Sequence, residues 1–279
     1  MPDNAGDKDP ALAKAPNPRS PLLAGTVRVD VVDLSGRSLR GAMMIVGFPT
    51  HGLVGSVAIK YLVETLEMTP VARVESPSLP PTVVMDEGLV DSPVRVYASR
   101  MACGPDKMCG QLVVAISEIA IDAPLIGAVG EARLDWAEAN GVKMIFAIEG
   151  KPREGGSANE EIPVLALGNA PGLPVIRSYG FPRTSGMLTG FGAAVLKAGL
   201  GRKIPIVCLL PEAEKDRPDG RAAAKVVETI RPLVPQLGLD PGPLRQKSEE
   251  LETEQREHLH AQRDAVTQLA NAVPFGIYG

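Results

Sequence analysis

The stretch that decides the fold runs from Met43 to Gly55 and has the sequence MMIVGFPTHGLVG. Its first four residues form a continuous apolar run that ends at Gly47, which is typical of a strand buried on both faces. Across residues 52–66, apolar side chains recur at helical spacing, namely Leu53, Val57, Tyr61 and Leu62. The stretch therefore predicts a strand, a tight glycine-rich turn and a helix.

Strand-like and helix-like segments alternate along most of the chain. Strands are predicted at residues 27–31, 43–46, 94–101, 111–116, 142–148, 162–167 and 204–210. Helices are predicted at residues 52–66, 123–140, 186–199 and 220–237, the last interrupted by Pro232 and Pro235. Buried strands that alternate with helices predict a mostly parallel sheet covered on both faces, so we expect an α/β fold built as a three-layer α/β/α sandwich.

The two ends of the chain differ from this central part. Residues 1–24 are rich in proline and lack periodicity, so we expect an N-terminal segment that is disordered. Residues 25–243 form the predicted α/β domain. Residues 244–273 carry a narrow apolar stripe on a polar helix, which would pack on a neighbouring subunit or on its own domain. Residues 274–279 are left as a tail.

Composition excludes several classes of partner. The net charge is −4 and aromatic residues make up 4% of the chain, so neither a basic footprint nor a base-stacking platform indicates nucleic acid or an anionic membrane. The most apolar of the long stretches, residues 111–130, is interrupted by Glu118, Asp122 and Pro124, so it is unsuited to a bilayer helix. We therefore expect a cytoplasmic protein.

The cysteines point to reduced thiols. Cys103, Cys109 and Cys208 are odd in number and include no Cys-x-x-Cys pair. A disulfide framework and a zinc site are therefore not expected.

Sequence signatures of common enzymes are missing. Residues 47–52 place two glycines as a P-loop does, but Leu53 and Val54 stand where the lysine and the Ser/Thr are required. No dinucleotide-binding glycine motif, Gly-x-Ser-x-Gly elbow or His-Glu-x-x-His motif is present. We therefore predict no catalytic residues, no metal site and no cofactor.

One alternative stays open at the Gly47–Gly55 turn. His51 lies at a strand-to-helix turn, where active sites of α/β proteins often lie. The alternative is a small-molecule-binding protein or a hydrolase-like enzyme that uses this turn and His51. His258 and His260 would point apart on a helix, and the carboxylates Asp86, Glu87 and Glu149 show no spacing that implies shared proton transfer.

Three segments together carry a family resemblance. They are the turn at residues 47–55, the sequence GMLTG at residues 186–190, and the strand at residues 204–210 with PDGRAAA at residues 218–224. Over residues 25–245 the chain resembles the proteasome assembly chaperone 2 family, particularly its archaeal homologues. The resemblance implies a phosphorylase/hydrolase-like α/β fold without a retained catalytic set, a homo-oligomer (tetramer or pentamer), and binding to the α subunits of the proteasome core particle.

The resemblance also gives the C-terminus a role. Some archaeal members are similar to proteasome activators and end in a hydrophobic-Tyr-any tripeptide, the HbYX motif, and Ile277, Tyr278 and Gly279 fit this pattern. A terminal carboxylate can be captured by a lysine or by backbone amides, and a tyrosine suits a half-wet pocket. We therefore expect an assembly chaperone or activator that docks these tails into the α-ring, the alternative being an inert terminus.

Overall fold

A computed structural model describes residues 27–34, 37–101, 110–153, 161–215, 217–246 and residue 257. Several sequence predictions fall outside these residues: the N-terminal segment 1–24, the tail 274–279, Cys103, Cys109, His258 and His260. They stay predictions.

A nine-stranded sheet forms the centre of the described structure. The strands in chain order are β1 (Arg28–Val31), β2 (Met43–Gly47), β3 (Thr69–Glu75), β4 (Val84–Asp86), β5 (Leu89–Asp91), β6 (Val94–Ala98), β7 (Leu112–Ser117), β8 (Met144–Ile148), β9 (Lys151–Pro152), β10 (Val164–Gly168) and β11 (Ile206–Ala213). The sheet order is β1-β3-β6-β7-β2-β8-β11-β10, with β9 beside β11, while β4 and β5 form a separate hairpin.

The direction of the strands confirms the predicted fold class. β7, β2, β8 and β11 are parallel neighbours at the centre, and β3 and β9 run in the same direction. β1, β6 and β10 run the opposite way, so the sheet has a parallel centre and antiparallel flanks. The parallel centre requires helices on both faces, because a parallel connection crosses over the sheet.

The central strands are buried on both faces. All five residues of β2 and all six of β7 are buried, as their continuous apolar sequences predict. Alternate side chains of β2 enter two different cores: Met43 and Ile45 lie in the first, and Met44 and Val46 lie in the second. The two cores occupy the two faces of the sheet.

Helices cover each face in pairs. Their bounds are α1 (Val54–Thr65), α2 (Ala123–Ala139), α3 (Leu173–Ser178), α4 (Phe191–Ala198) and α5 (Gly220–Ile230). α1 and α5 pack together over the first core, and α2 and α4 pack together over the second. The short α3 lies against β10. Within the described ranges, no helix combines the length and apolar character needed to cross a membrane.

Two predicted helices are shorter in the structure. The prediction of a helix from residue 186 is wrong for its first turn, because Gly186 and Gly190 have φ angles of +143° and +96° and α4 begins only at Phe191. α5 ends at Ile230 and gives way to two short 3-10 turns. Pro232 and Pro235 lack the amide hydrogen that an α-helix would need there.

The sequence prediction missed β3, the β4–β5 hairpin and α3. β3 contains Pro70, and the loop after it contains Pro77, Pro80 and Pro81, so the strand signal is weak in this part of the chain. The hairpin strands have only three residues each. Such short elements offer too few residues for a periodic pattern to emerge.

The predicted cap of α5 is present. The carboxylate of Asp219 accepts a hydrogen bond from the amide of Ala222 at 3.0 Å. Residues 241–246, which are helical, follow the domain closely: Leu244 is fully buried in the first core, and the Tyr61 hydroxyl donates to the carbonyl of Asp240. The predicted C-terminal helix thus begins packed on the domain, and most of its length lies outside the described residues.

Candidate functional site at the carboxyl edge of the sheet

The Gly47–Gly55 turn joins β2 to α1 by direct backbone contact. A Cβ atom added at Gly47 would lie 2.4 Å from the carbonyl oxygen of Gly55, so only glycine permits this approach. The carbonyl of Gly52 accepts a hydrogen bond from the amide of Asp219 at 2.8 Å, which ties the turn to the start of α5. The turn is therefore filled by its own backbone, and its glycines serve packing.

His51 lies in a short 3-10 turn, His51–Leu53, and is half-buried. The residue before it, Thr50, accepts a hydrogen bond at its Oγ1 from the amide of Gly150, 3.2 Å away, which holds the turn against the end of β8. No cluster of three or more His, Cys, Asp or Glu side chains that could hold a metal ion occurs in the part of the chain that the structure describes. The structure thus places His51 at the predicted edge without bringing a metal-binding set to it.

Glu149 is the first of two buried charged groups at this edge. It follows β8 directly, is 7% exposed, and its carboxylate accepts a hydrogen bond of 2.8 Å from the amide of Gly192 in the first turn of α4. Burial raises the pKa of Glu149 to about 7, although the hydrogen bonds from the amides of Gly192 and Phe191 oppose this rise. The nearby Cys208 thiol has its pKa raised by burial and by the Glu149 charge.

Arg133 is the second buried charged group. It projects from α2, is 3% exposed, and its guanidinium carbon lies 4.4 Å from the ring centroid of Phe48 and 6.0 Å from that of Phe191. The two rings stack on each other with centroids 3.4 Å apart. Burial lowers the pKa of Arg133 to about 9. Its Nη2 donates to the carbonyl of Ile116 at 3.4 Å, at the end of β7.

A groove lies on the first face of the sheet, between α1 and the β4–β5 hairpin. Its volume is about 250 Å³, and its lining includes Lys60, Met85 and Tyr97. At its base Arg95 and Glu118 form an ion pair with side chains that are 11% and 7% exposed. The groove is therefore separate from Arg133 and Glu149, since Arg133 lies on α2 and Glu149 contacts α4, and both helices cover the opposite face.

Sequence reasoning found the turn and His51 but missed the two buried charges. Glu149 stands directly after a buried parallel strand, which is the position where α/β folds place functional polar groups. Arg133 follows Val129 by four residues, so both lie on one face of a helix, and that face is buried. These two positions in the sequence could have identified Glu149 and Arg133 as candidate buried charges. The predicted partner-binding residues Ile277, Tyr278 and Gly279 lie outside the described residues.

Comparison with solved structures finds the same fold in several archaeal proteins. The chain is similar to Pyrococcus furiosus PbaA, described as an archaeal homologue of proteasome-assembly chaperone, with 25% identity and a TM-score of 0.69 over 86% of this chain and 99% of that one. It is also similar to a Thermoplasma acidophilum protein of unknown function, with 26% identity and a TM-score of 0.67 over 85% and 92% of the two chains.

A third solved structure has the same fold as this chain, but its sequence identity is too low to show more than the fold. Pyrococcus furiosus PbaB, described as an archaeal proteasome activator, is 20% identical with a TM-score of 0.68 over 84% of this chain and 98% of that one. Comparison with curated protein sequences found no match. The sequence profile of the PAC2 family matches residues 44–259, which span the whole central sheet from β2 onward. By this match over most of its length, the chain belongs to the PAC2 family.

Proposed function

We propose that this protein is an assembly chaperone or activator of the proteasome, and that it is not an enzyme. The observation that carries the proposal is the similarity to PbaA over 99% of that chain, together with membership of the PAC2 family. PbaA is described as a homologue of a proteasome-assembly chaperone, and PbaB is described as a proteasome activator. The partner would be the core particle, in the cytoplasm.

The contact we propose is made by Ile277, Tyr278 and Gly279, docked between α subunits of the core particle. Tyr278 offers a rigid aromatic body with a polar tip, and Ile277 offers an aliphatic side chain for a small recess. The carboxylate of Gly279 would be bound by a lysine or by backbone amides of the cleft. Gly276 and Pro274 precede these residues and favour a change of chain direction just before the contact.

A single tripeptide buries little surface, so this mechanism requires several copies. Linked tails raise the effective concentration of each other at the ring, which increases the overall affinity without new contacts. We therefore propose that the active form is a homo-oligomer, a tetramer or a pentamer. The β4–β5 hairpin supports self-association, because Val83, Met85, Leu89 and Val90 are between 57% and 77% exposed within eight residues.

The geometry of the turn supports a non-catalytic role. Its glycines Gly47 and Gly55 are required for the close contact between β2 and α1. The hydrogen bond between Thr50 and Gly150, next to His51, holds the turn against the end of β8. The buried Glu149 carboxylate caps α4 through backbone amides. The turn glycines, Thr50 and Glu149 therefore each have a structural task that needs no substrate.

The test is co-migration with purified core particles on a native gel. Tyr278→Ala and deletion of Gly279 should each abolish co-migration, because they remove the aromatic anchor and shift the carboxylate. Tyr179→Ala is the matched control, since Tyr179 is a surface tyrosine with 43% exposure in the folded domain. Unchanged co-migration of the two tail variants would refute the docking mechanism.

A further inference from the structure

Arg133 is a buried cation without a counter-ion among the described residues. No ion pair of Arg133 occurs within these ranges, and its Nε and Nη1 atoms find no hydrogen-bond partner there. The one hydrogen bond that it makes to a described residue, from Nη2 to the Ile116 carbonyl, is long at 3.4 Å. A guanidinium in this condition is unusual, because buried charges in proteins are normally paired and hydrogen-bonded.

The surroundings of Arg133 stabilise a cation only in part. The faces of Phe48 and Phe191 attract the guanidinium, but aromatic rings supply no acceptors for its N–H groups. The burial that lowers its pKa to about 9 leaves it charged at neutral pH. The side chain therefore keeps a positive charge and at least two unsatisfied donor atoms at this position.

The position of Arg133 is one where ligands of open α/β sheets bind. The guanidinium lies beside Ile116 in β7 and Phe48 just after β2, and Phe191 begins α4. These are the carboxyl ends of neighbouring parallel strands and the start of α4, whose first amides, those of Phe191 and Gly192, donate to the Glu149 carboxylate. The positive charge available to a ligand therefore comes from the Arg133 guanidinium.

Glu149 and Cys208 are the titratable groups that face the first turn of α4 from the other strands. Glu149 lies at the end of β8 and Cys208 on β11. Burial favours the neutral form of both, since the pKa of Glu149 is raised to about 7 and that of Cys208 is raised as well. Glu149 is therefore about half ionised at pH 7, and only below that pH do these groups offset little of the Arg133 charge.

We propose that Arg133 binds a small oxyanion, with inorganic phosphate as the probe, between the end of β7, Phe48 and the first turn of α4. The ligand enters when the segment before α4 moves. Gly186 and Gly190 bracket this segment at positive φ, and Met187 between them is 98% exposed. Since the segment leads directly into Phe191, its movement would shift a ring that lies 6.0 Å from the guanidinium carbon and stacks on Phe48. The proposed ligand is a free oxyanion and not a nucleotide, because the guanidinium is 3% exposed and lies beneath Phe48 and Phe191.

The test is the melting temperature as a function of phosphate at pH 6, where Glu149 is mostly neutral, with ionic strength held by sodium gluconate. The melting temperature of the wild-type protein should rise by about 3 °C when the phosphate concentration is ten times the dissociation constant. The rise should vanish in Arg133→Met and persist in Arg221→Met, an exposed arginine on α5. Without phosphate, Arg133→Met should melt at the wild-type temperature or above it, because the variant removes an unpaired buried charge.

Three results of the melting experiment would overturn the proposal. They are an equal phosphate effect in Arg133→Met, the absence of any effect in the wild type up to 50 mM, and an equal effect of adenosine monophosphate in the wild type. Equilibrium dialysis of radiolabelled phosphate against the wild-type protein gives a readout that holds even if Arg133→Met fails to fold. One phosphate per chain is expected there, and no saturable binding would refute the site.

Discussion

Replacing Glu149 by Gln provides a direct test of the electrostatics at the carboxyl edge. The amide keeps the shape of the side chain and an oxygen that can accept from the Gly192 amide, but it removes the titratable charge. Glu149 is 7% exposed, so the cost of its charge is set by burial and is little reduced by solvent. We expect the variant to be more stable than the wild type at high pH.

The magnitude follows from the pKa of Glu149, which rises from 4.5 to about 7 on folding. A carboxyl group with a raised pKa in the folded state stabilises the protein below the unfolded pKa, and that contribution is lost as the pH rises through about 7. At pH 8 the ionised group costs roughly 3 kcal/mol, because each pKa unit corresponds to about 1.4 kcal/mol. At pH 5 the same calculation gives less than about 1 kcal/mol.

The assay is urea denaturation of both proteins at pH 5, 6, 7 and 8. The advantage of Glu149→Gln in free energy of unfolding should grow with pH, and most of the growth should occur between pH 5 and pH 7. Glu87→Gln, which removes an exposed carboxyl at the hairpin turn, is the control for the loss of one negative charge. A Glu149→Gln variant that is less stable than the wild type at pH 8, or a difference that is constant with pH, would refute the reasoning.

Two further predictions concern the turn and the hairpin. Gly47→Ala should yield no folded protein by circular dichroism, since its Cβ would lie 2.4 Å from the Gly55 carbonyl oxygen, whereas Gly127→Ala, where no atom lies within 4 Å, should fold normally. Folded Gly47→Ala would contradict the packing role of the turn. Leu89→Asp should shift the sedimentation coefficient toward that of a monomer, because Leu89 is 77% exposed on the proposed self-association surface, while Leu200→Asp, at 71% exposure away from the hairpin, should not. An unchanged oligomer in Leu89→Asp would remove the hairpin from the interface.

The sequence predicts the centre of the fold better than its flanks. Residues 43–55 predict β2, the turn and the start of α1, because each has a distinct pattern. A continuous apolar run indicates a buried strand, the spaced glycines indicate a tight turn, and apolar residues at helical spacing indicate a helix. The start of α4 is mispredicted because the positive φ angles of Gly186 and Gly190 depend on the surrounding fold. The antiparallel flanks could not be predicted either, because the alternation of apolar and polar residues in a strand does not specify whether its neighbour runs parallel or antiparallel.

The buried charges show a different limit of sequence reasoning. Glu149 and Arg133 are 16 residues apart in the chain and belong to different elements, yet both contact the first residue of α4. α4 packs on β8 and on its neighbour β11, and this strand order places the end of β8 beside the first turn of α4. A charged residue on an otherwise apolar strand or helix face indicates that its side chain is buried. Whether that side chain has a hydrogen-bond or ion-pair partner depends on contacts with residues distant in sequence.

Proteasome docking is tested most directly by adding a single glycine after Gly279 and measuring binding to immobilised core particles by surface plasmon resonance. The added residue leaves Ile277 and Tyr278 unchanged and moves only the terminal carboxylate away from them. We predict saturable binding of the unextended chain and at least a tenfold loss of affinity on extension, because the carboxylate and the aromatic anchor must engage one cleft together. Equal binding of the two chains would contradict tail docking.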